Sequence, residues 1–449
     1  MRALEPATLV LRGGVQGTVQ ARVQAIGGRR VVVAETSSRS RRGALAQRDG
    51  ESLSEAAEAA RRSRLPLVID LASSGADVSG GIDALHGWGG AAAAVAACSG
   101  VVPVIAAARG PVVSGPALML GLADLVVMTP SAVAYVSGPS MVASFTGVLL
   151  TPQALGGAAI HASTSGLCAV ETDDVDGALA DVLSFLPDHA DAEPPSEVTE
   201  DPVIRSTPEL RTLVPTDERA SYDVRDVARC VVDDEVLCEL WPLWASQLVT
   251  AFGRLGGQPV GVMANQPRSL AGTLDISASQ KGARFVRLCD AFNLPILTFV
   301  DTPGFLPGKD LEWRGMIRHG AELAFAYAQA TVPRLCVVLR KAFGGAYIVM
   351  DSKGLGNDLC LAWPQAQIAV MGAPGAVQIL HRRTTPEDRK SREEQYRDRF
   401  LTPWAAAERG FVDEVIDPAA TRAALAAGLR QLTSKRELLI GRKHDAGPM

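Results

Sequence analysis

Short apolar runs alternate along the chain with segments whose apolar residues recur every three or four positions. Pro66 to Ala72, Val102 to Ala108, Val260 to Ala264, Leu294 to Val300 and Leu335 to Leu339 have strand length and are often β-branched, which predicts buried strands. Between the last three runs, Phe285, Leu288, Cys289 and Phe292 fall at i, i+3, i+4 and i+7, and Ile317, Ala321, Ala324 and Ala328 at i, i+4, i+7 and i+11. Each set shares one helical face, so both segments are expected as amphipathic helices packed by that face. Nearer the amino terminus, Ser52-Leu53-Ser54-Glu55 has capping-box form and predicts a helix over about residues 53–63. Strands alternating with helices imply a parallel sheet with helical cover, an α/β fold.

The pattern is written twice. Asp124, Pro130, Ala132, Val136 and Gly138 recur as Asp358, Pro364, Ala366, Val370 and Gly372, all 234 positions on and without a gap. Upstream, Ser114-Gly115 and Gly344-Gly345 stand 230 apart, each after a strand-like run and a basic residue, Arg109 or Lys341. Duplication predicts two similar domains of about 200 residues each. Pro187 to Pro215, rich in Pro, Asp and Glu, has the composition of an exposed connector. The boundary is placed near residue 200, giving domains 1–200 and 201–449.

Composition narrows the function classes. The 449 residues are 47% apolar and 21% charged, globular proportions, and no run of about 18 uninterrupted apolar residues offers a membrane span. A net charge of −5 and a pI near 5.8 argue against a nucleic-acid partner. Met1 to Gly14 lacks the pattern of a secretory leader, so a cytoplasmic location is expected. Seven dispersed cysteines, with no Cys/His group at zinc spacing, predict neither a structural metal nor a disulfide framework.

Candidate chemistry lies in glycine-rich turns. Lys341-Ala342-Phe343-Gly344-Gly345-Ala346-Tyr347 follows a buried strand and precedes Ile348 to Ser352, a segment suited to opening a helix. Free N–H groups at such a start suit an oxygen that gains negative charge, although a tight structural turn requires the same residues. Arg109-Gly110-Pro111-Val112-Val113-Ser114-Gly115-Pro116 stands at the matching place in the first half. Asp301-Thr302-Pro303-Gly304-Phe305-Leu306-Pro307-Gly308 lies at a strand end, where parallel sheets gather ligands, and also reads as a rigid loop set by proline. No G-x-S-x-G elbow, P-loop or H-E-x-x-H pair occurs, so hydrolase, P-loop and metalloprotease readings lose support. His381 reads as a packing or surface residue. Arg29-Arg30, Arg39, Arg41-Arg42 and Arg61-Arg62 read as a solvated face.

The stretch from Asn265-Gln266-Pro267 through Lys281-Gly282-Ala283-Arg284-Phe285, Pro303-Gly304-Phe305-Leu306-Pro307-Gly308 and Arg340 to Tyr347 resembles the carboxyltransferase (beta) subunits of biotin-dependent propionyl-CoA and acetyl-CoA carboxylases. Leu361-Ala362-Trp363-Pro364, Ala369-Val370-Met371-Gly372, Ala406-Ala407-Glu408-Arg409-Gly410, and the tail residues Lys443, His444 and Pro448 carry the resemblance onward. It is detailed from about residue 258 to the end, recognisable over about 100–185, and faint before that.

The resemblance implies two tandem crotonase-like (ClpP/crotonase) domains. An acyl-CoA site would lie on the amino-terminal one and a biotin site on the carboxy-terminal one, with each active site completed across a dimer interface in a homo-hexamer, a trimer of dimers. It implies that Ser114 and Gly115 hold the thioester enolate, and that Gly345 and Ala346 hold the biotin ureido oxygen. Gly344, Tyr347, Phe305 and Gly304 would line the biotin site. Ile348 would line the acyl pocket, where an apolar residue points to acetyl-like substrates. Biotin would arrive on a separate carrier, since no Ala-Met-Lys-Met motif occurs here, and a biotin carboxylase would be the partner subunit.

Some residues depart from the family. Ser114-Gly115 replaces two glycines, Ser73-Ser74-Gly75-Ala76-Asp77 ends in an anion where the family has arginine, and the amino terminus is short. A biotin-independent malonyl- or methylmalonyl-CoA decarboxylase, or a scaffold paralogue that binds CoA poorly, therefore remain open readings.

Overall fold

A computed structural model describes residues 9–12, 17–36, 41–383, 385–435, 437, 441 and 446–447. Lys443, His444, Pro448 and Arg39 lie outside the described residues. The chain gathers into two compact units. The first holds the residues up to Pro195 together with Trp241–Trp244 and Ala291–Asn293, and the second holds Ser196–Leu240, Ala245–Asp290 and the chain from Leu294.

The first unit is built on an eight-stranded sheet: β1 (Leu9–Arg12), β2 (Val19–Ile26), β3 (Arg29–Thr36), β4 (Leu67–Ser73), β5 (Val104–Val113), β6 (Leu125–Met128), β7 (Val133–Tyr135) and β8 (Val170–Glu171). The order is β1-β2-β3-β4-β5-β6-β8, with β7 pairing the far end of β5. The two pairs from β1 to β3 are antiparallel and the rest parallel. The second unit repeats this with β9 (Cys238–Leu240), β10 (Leu248–Leu255), β11 (Gln258–Asn265), β12 (Ile296–Thr302), β13 (Arg334–Phe343), β14 (Leu359–Ala362), β15 (Gln367–Ala369) and β16 (Glu414–Val415). Its order is β9-β10-β11-β12-β13-β14-β16, with β15 on β13.

Matched strands start 229 apart for β2/β10, β3/β11 and β4/β12, 230 for β5/β13, and 234 for β6/β14 and β7/β15. Duplication thus reaches further upstream than residue identities reveal. Even the hairpin turns match: Gly27-Gly28 and Gly256-Gly257 all take positive φ, between 55° and 80°, the conformation a two-residue turn between right-twisted strands requires.

Two helical expectations are corrected. The first helix, α1 (Gln47–Ser63), begins six residues before Leu53, and Ser52 does not cap it; the Ser52 hydroxyl instead donates to the Arg48 carbonyl at 3.0 Å. The buried Asp49 carboxylate accepts the N–H of Ala46 at 2.8 Å, of Thr18 at 2.6 Å and of Val19 at 3.2 Å. One acid thus caps α1 and ties it to β2. Gly50 looks like a helix breaker, but an added Cβ there would meet the Gly87 backbone at 2.1 Å. It marks the close crossing of α1 with α2 (Ile82–Ala96).

In the second unit, α4 (Ile276–Ala291), numbered after α3 (Leu118–Leu122), buries Phe285, Leu288 and Cys289 as expected. By contrast α5 (Met316–Gln329) turns a different face inward. Ile317 is 83% exposed, while Met316, Gly320, Leu323 and Tyr327 are buried. Alanines could not choose between two adjacent stripes. Tyr327 decides, its hydroxyl bonded to that of Thr298 on β12 at 2.8 Å.

Arg29 is also corrected from solvated to structural: its guanidinium donates to the carbonyls of Leu183 and Leu186 and pairs with Asp188. Arg62 on α1 pairs with Glu58 on the surface. Among the described residues, no helix is long and apolar enough to cross a membrane.

Candidate active site

In the second unit β13 ends at Phe343 and the next residue opens a helix, α6 (Gly344–Val349). The helix was expected to open within Ile348 to Ser352. It opens earlier because Gly344 takes a φ of +61°, where a Cβ would be strained and would stand 3.1 Å from the Val370 carbonyl oxygen. At Gly345 an added Cβ would lie 3.4 Å from the Phe305 ring. The N–H groups of Gly345 and Ala346 fall in the first turn, before any i→i−4 bond can engage them. Gly345 is exposed and Ala346 is buried.

This turn is rooted in buried charge. Asp301, at the end of β12, accepts from Lys341 N–H at 3.0 Å, from the Tyr222 hydroxyl at 2.9 Å and from Arg340 Nε at 3.1 Å. The Arg340 guanidinium also donates to the carbonyls of Asp217 and Ala220, both at 2.9 Å, and lies 5.2 Å from the Tyr222 ring centre. Burial pushes the Asp301 carboxyl above its ordinary range, and Arg340 opposes that shift. A buried pair with this many partners is costly to break from one side. Lys341 Nζ donates to the Glu218 carbonyl at 2.7 Å. Gly304, at φ +142°, bends the chain so that its carbonyl accepts Leu274 N–H at 3.2 Å while Leu306 N–H donates to Leu274 at 2.8 Å. Phe305 is thereby held between Gly345 and Gly320 of α5.

Beside the turn is a cavity of about 510 Å³ whose walls include Gly344, Gly345, Ile348, Val370, Phe400 and Phe411. Its surface is mainly apolar. Of its two cations, Lys353 is paired with Asp413 at 2.5 Å and Arg409 donates to the Ala405 carbonyl. The second unit therefore brings Gly344, Gly345, Tyr347 and Ile348 to one cavity and sets Phe305, on its Gly304 loop, against Gly345.

The first unit builds the same turn with different chemistry. Ser114 takes φ +64° and ψ −148° at the place of Gly344, a region that residues other than glycine enter at a cost of about 1–3 kcal/mol. Its N–H donates to the Tyr135 carbonyl on β7 at 2.9 Å. Matching by structure pairs Ser114 with Gly344, Gly115 with Gly345 and Pro116 with Ala346. The expected donor pairs, Ser114 with Gly115 and Gly345 with Ala346, are therefore one residue out of register with each other. Pro116 has no N–H, so Gly115 keeps the one backbone donor equivalent to those of Gly345 and Ala346. The anion that departs from the family, Asp77, caps a short turn by accepting Ser79 N–H at 3.0 Å and its hydroxyl at 2.6 Å.

The carboxyl transferase domain model matches residues 10–446. The chain belongs to that family. A propionyl-CoA carboxylase carboxyltransferase subunit of Haloferax mediterranei is 46% identical over 84% of this chain and 75% of its own length. A methylmalonyl-CoA decarboxylase alpha subunit of Veillonella parvula is 42% identical over 86% of this chain and 76% of its own. A solved transcarboxylase 12S structure, described as a hexamer with methylmalonyl-coenzyme A and methylmalonic acid bound, superposes with a TM-score of 0.94 at 40% identity, covering 96% of this chain and 85% of that one. The fold and enzyme class expected from the resemblance hold: this carboxyltransferase is an α/β protein of crotonase-like domains.

Sequence reasoning missed two features of this carboxyltransferase. Asp301 was singled out only as part of a loop, and Arg340 only as part of a motif; a charged residue directly after the apolar run from Leu335 to Leu339, within the same strand, was the available sign of a buried ion pair. Trp88, whose ring covers Gly115, carried no sign at all, because only the fold brings α2 to the turn. Among the described residues no group of three or more His, Cys, Asp or Glu side chains is placed to hold a metal ion.

Proposed function

We propose that this chain is the carboxyltransferase subunit that moves a carboxyl group from carboxybiotin, borne on a separate carrier protein, to the α-carbon of an acetyl- or propionyl-CoA-like thioester. The observation that carries the reading is the pair of matched strand-to-helix turns, one per unit, each presenting a backbone donor where an oxygen would gain charge. In this reading residues 1–200 serve acyl-CoA and residues 201–449 serve biotin.

The cavity beside Gly345 fits the biotin head in kind: it is of small-ligand size, mainly apolar, and bordered by Gly345, whose N–H would meet the ureido oxygen, with the N–H of the buried Ala346 next in the same turn. Carboxybiotin, when bound, supplies an activated carboxyl group and a ureido nitrogen able to take a proton. Gly344 and Tyr347 shape the cavity, Phe305 fixes Gly345 from behind, and apolar walls keep water from the carboxyl group. In this reading Ile348, 44% exposed on the rim of that cavity, would meet the acyl group brought up to the biotin head and favour short apolar ones. In the first unit the Gly115 N–H, at the turn bent by Ser114, would take the thioester oxygen as the α-proton leaves. The arrangement works without a side-chain nucleophile.

The chain is proposed to act as a homo-hexamer with a biotin carboxylase and carrier subunit, in the cytoplasm. All seven of its cysteines are free thiols, as suits a reducing compartment. Purified chain supplied with a biotinylated carrier, biotin carboxylase, ATP, bicarbonate and a panel of acyl-CoAs is expected to give carboxylated product; no product from any acyl-CoA would sink the reading. A decarboxylase reading is favoured by the Veillonella parvula relative. Release of CO2 from methylmalonyl-CoA or malonyl-CoA without a biotin partner would replace the first reading with the second.

A further inference from the structure

Each unit lays one aromatic ring over the second residue of its turn, and the two rings differ in one functional group. Phe305 covers Gly345 in the second unit. In the first, Trp88 of α2 covers Gly115 so closely that a Cβ there would meet its Cε2 at 2.8 Å and both Cζ2 and Nε1 at 3.0 Å. The face of the indole, on its Nε1 side, therefore lies over Gly115, and the N–H runs in the ring plane alongside the turn. That Nε1 is buried, and among the described residues nothing accepts its hydrogen. An indole N–H can only donate, and a buried donor without an acceptor is seldom retained unless something completes it.

The donor inventory of the turn says what it completes. Where the second unit has the Ala346 N–H, the first has Pro116 and no hydrogen. The Ser114 N–H is spent on Tyr135. The turn is one backbone donor short of its counterpart, and the unpartnered indole stands at that turn.

We propose that the Trp88 indole N–H is the second hydrogen-bond donor of the first unit's turn, acting with the Gly115 N–H on the carbonyl oxygen of the bound acyl thioester. This rests on the acyl-CoA reading above. Trp88 thus joins the catalytic donors by replacing, from a side chain, a hydrogen that Pro116 removed from the backbone.

The test uses the full chain in its carboxylase complex. Trp88→Phe keeps the ring and deletes the hydrogen, and Pro116→Ala in that background returns a backbone N–H. Carboxylation of acyl-CoA is expected to fall about 100-fold in W88F, the loss typical of a missing oxyanion donor, and to recover at least about tenfold in W88F/P116A. Retention within about threefold in W88F, or a loss that P116A leaves unrepaired in a folded double variant, overturns the proposal in favour of packing. If the unaltered chain carboxylates no acyl-CoA, the functional reading fails by itself. Trp88 is then judged with 15N-indole-labelled chain titrated with propionyl-CoA. Movement of the indole resonance that W88F lacks supports the donor, and a stationary resonance rejects it.

Discussion

The turn after β13 and the turn after β5 share a backbone and differ in what that backbone offers. Gly344 and Ser114 hold nearly the same positive φ, 61° and 64°, because each stands where a parallel strand of the same topology must reverse into a helix. The second unit meets that demand with glycine, follows it with two residues that keep their N–H groups, and anchors the strand through the buried Arg340–Asp301 pair. The first meets it with serine, follows with Gly115-Pro116, and has Arg109–Asp70 at 2.7 Å with the arginine side chain 37% exposed. Topology dictates the conformation of a duplicated turn, whereas its hydrogen-bond donors and anchoring charges are free to diverge.

The contrast in anchoring gives the largest expected effect. Arg340→Met leaves Asp301 buried without its cation and is expected to cost about 3–5 kcal/mol, read by denaturant unfolding. Arg109→Met is expected to cost under about 1 kcal/mol. Similar losses at both sites would break the comparison.

Next comes Ala346→Pro, which gives the second turn the donor deficit of the first. The rate of carboxyl transfer is expected to drop roughly 100- to 1000-fold, as for the loss of one oxyanion donor, with the melting temperature little changed because proline is tolerated in a first helical turn. An unaltered rate would show that this N–H is not used.

Matched positions inside the units differ in pH response. Offset by the 229 residues that separate α1 from α4, Ser52 corresponds to Lys281, whose ammonium is fully buried, donates to the Leu248 carbonyl at 2.6 Å and is pulled by burial from 10.5 down to about 7. Between those values the unfolded chain holds a proton that the folded chain lacks, so stability rises with pH across that window. Lys281→Met is expected to flatten the rise, measured as unfolding midpoints from pH 7 to 10. An identical slope in the variant would assign the rise elsewhere.

The smallest effect is expected at Ser114. Replacing it with glycine relieves the positive φ and is expected to stabilise the chain by about 1 kcal/mol, a rise of roughly 2–4 °C in melting temperature. Destabilisation would mean that the serine side chain compensates for its own strain.

Much of this was legible in the residues. The strand runs Leu294 to Val300 and Leu335 to Leu339, the helix bearing Phe285 and Leu288, and the repeat from Asp124/Asp358 to Gly138/Gly372 follow from periodicity and spacing, which are local properties. The glycines of the second turn were also visible, since a residue needed at positive φ leaves a compositional mark. Choices that depend on a neighbour were hidden: the inward face of α5, selected by the Tyr327–Thr298 bond; the start of α1, set by Asp49 reaching β2; and the register of donors in the first turn, set by the Ser114 bond to Tyr135.

By itself, then, the sequence determined the alternation of elements, their duplication and the family, because these rest on which side chains are apolar and how they are spaced. Tertiary structure alone decided which N–H groups remain available, which charges are buried, and that an indole nitrogen stands over Gly115. Those depend on distances between residues far apart in the chain, and a hydrogen bond or a desolvated charge exists only once folding has brought both partners together.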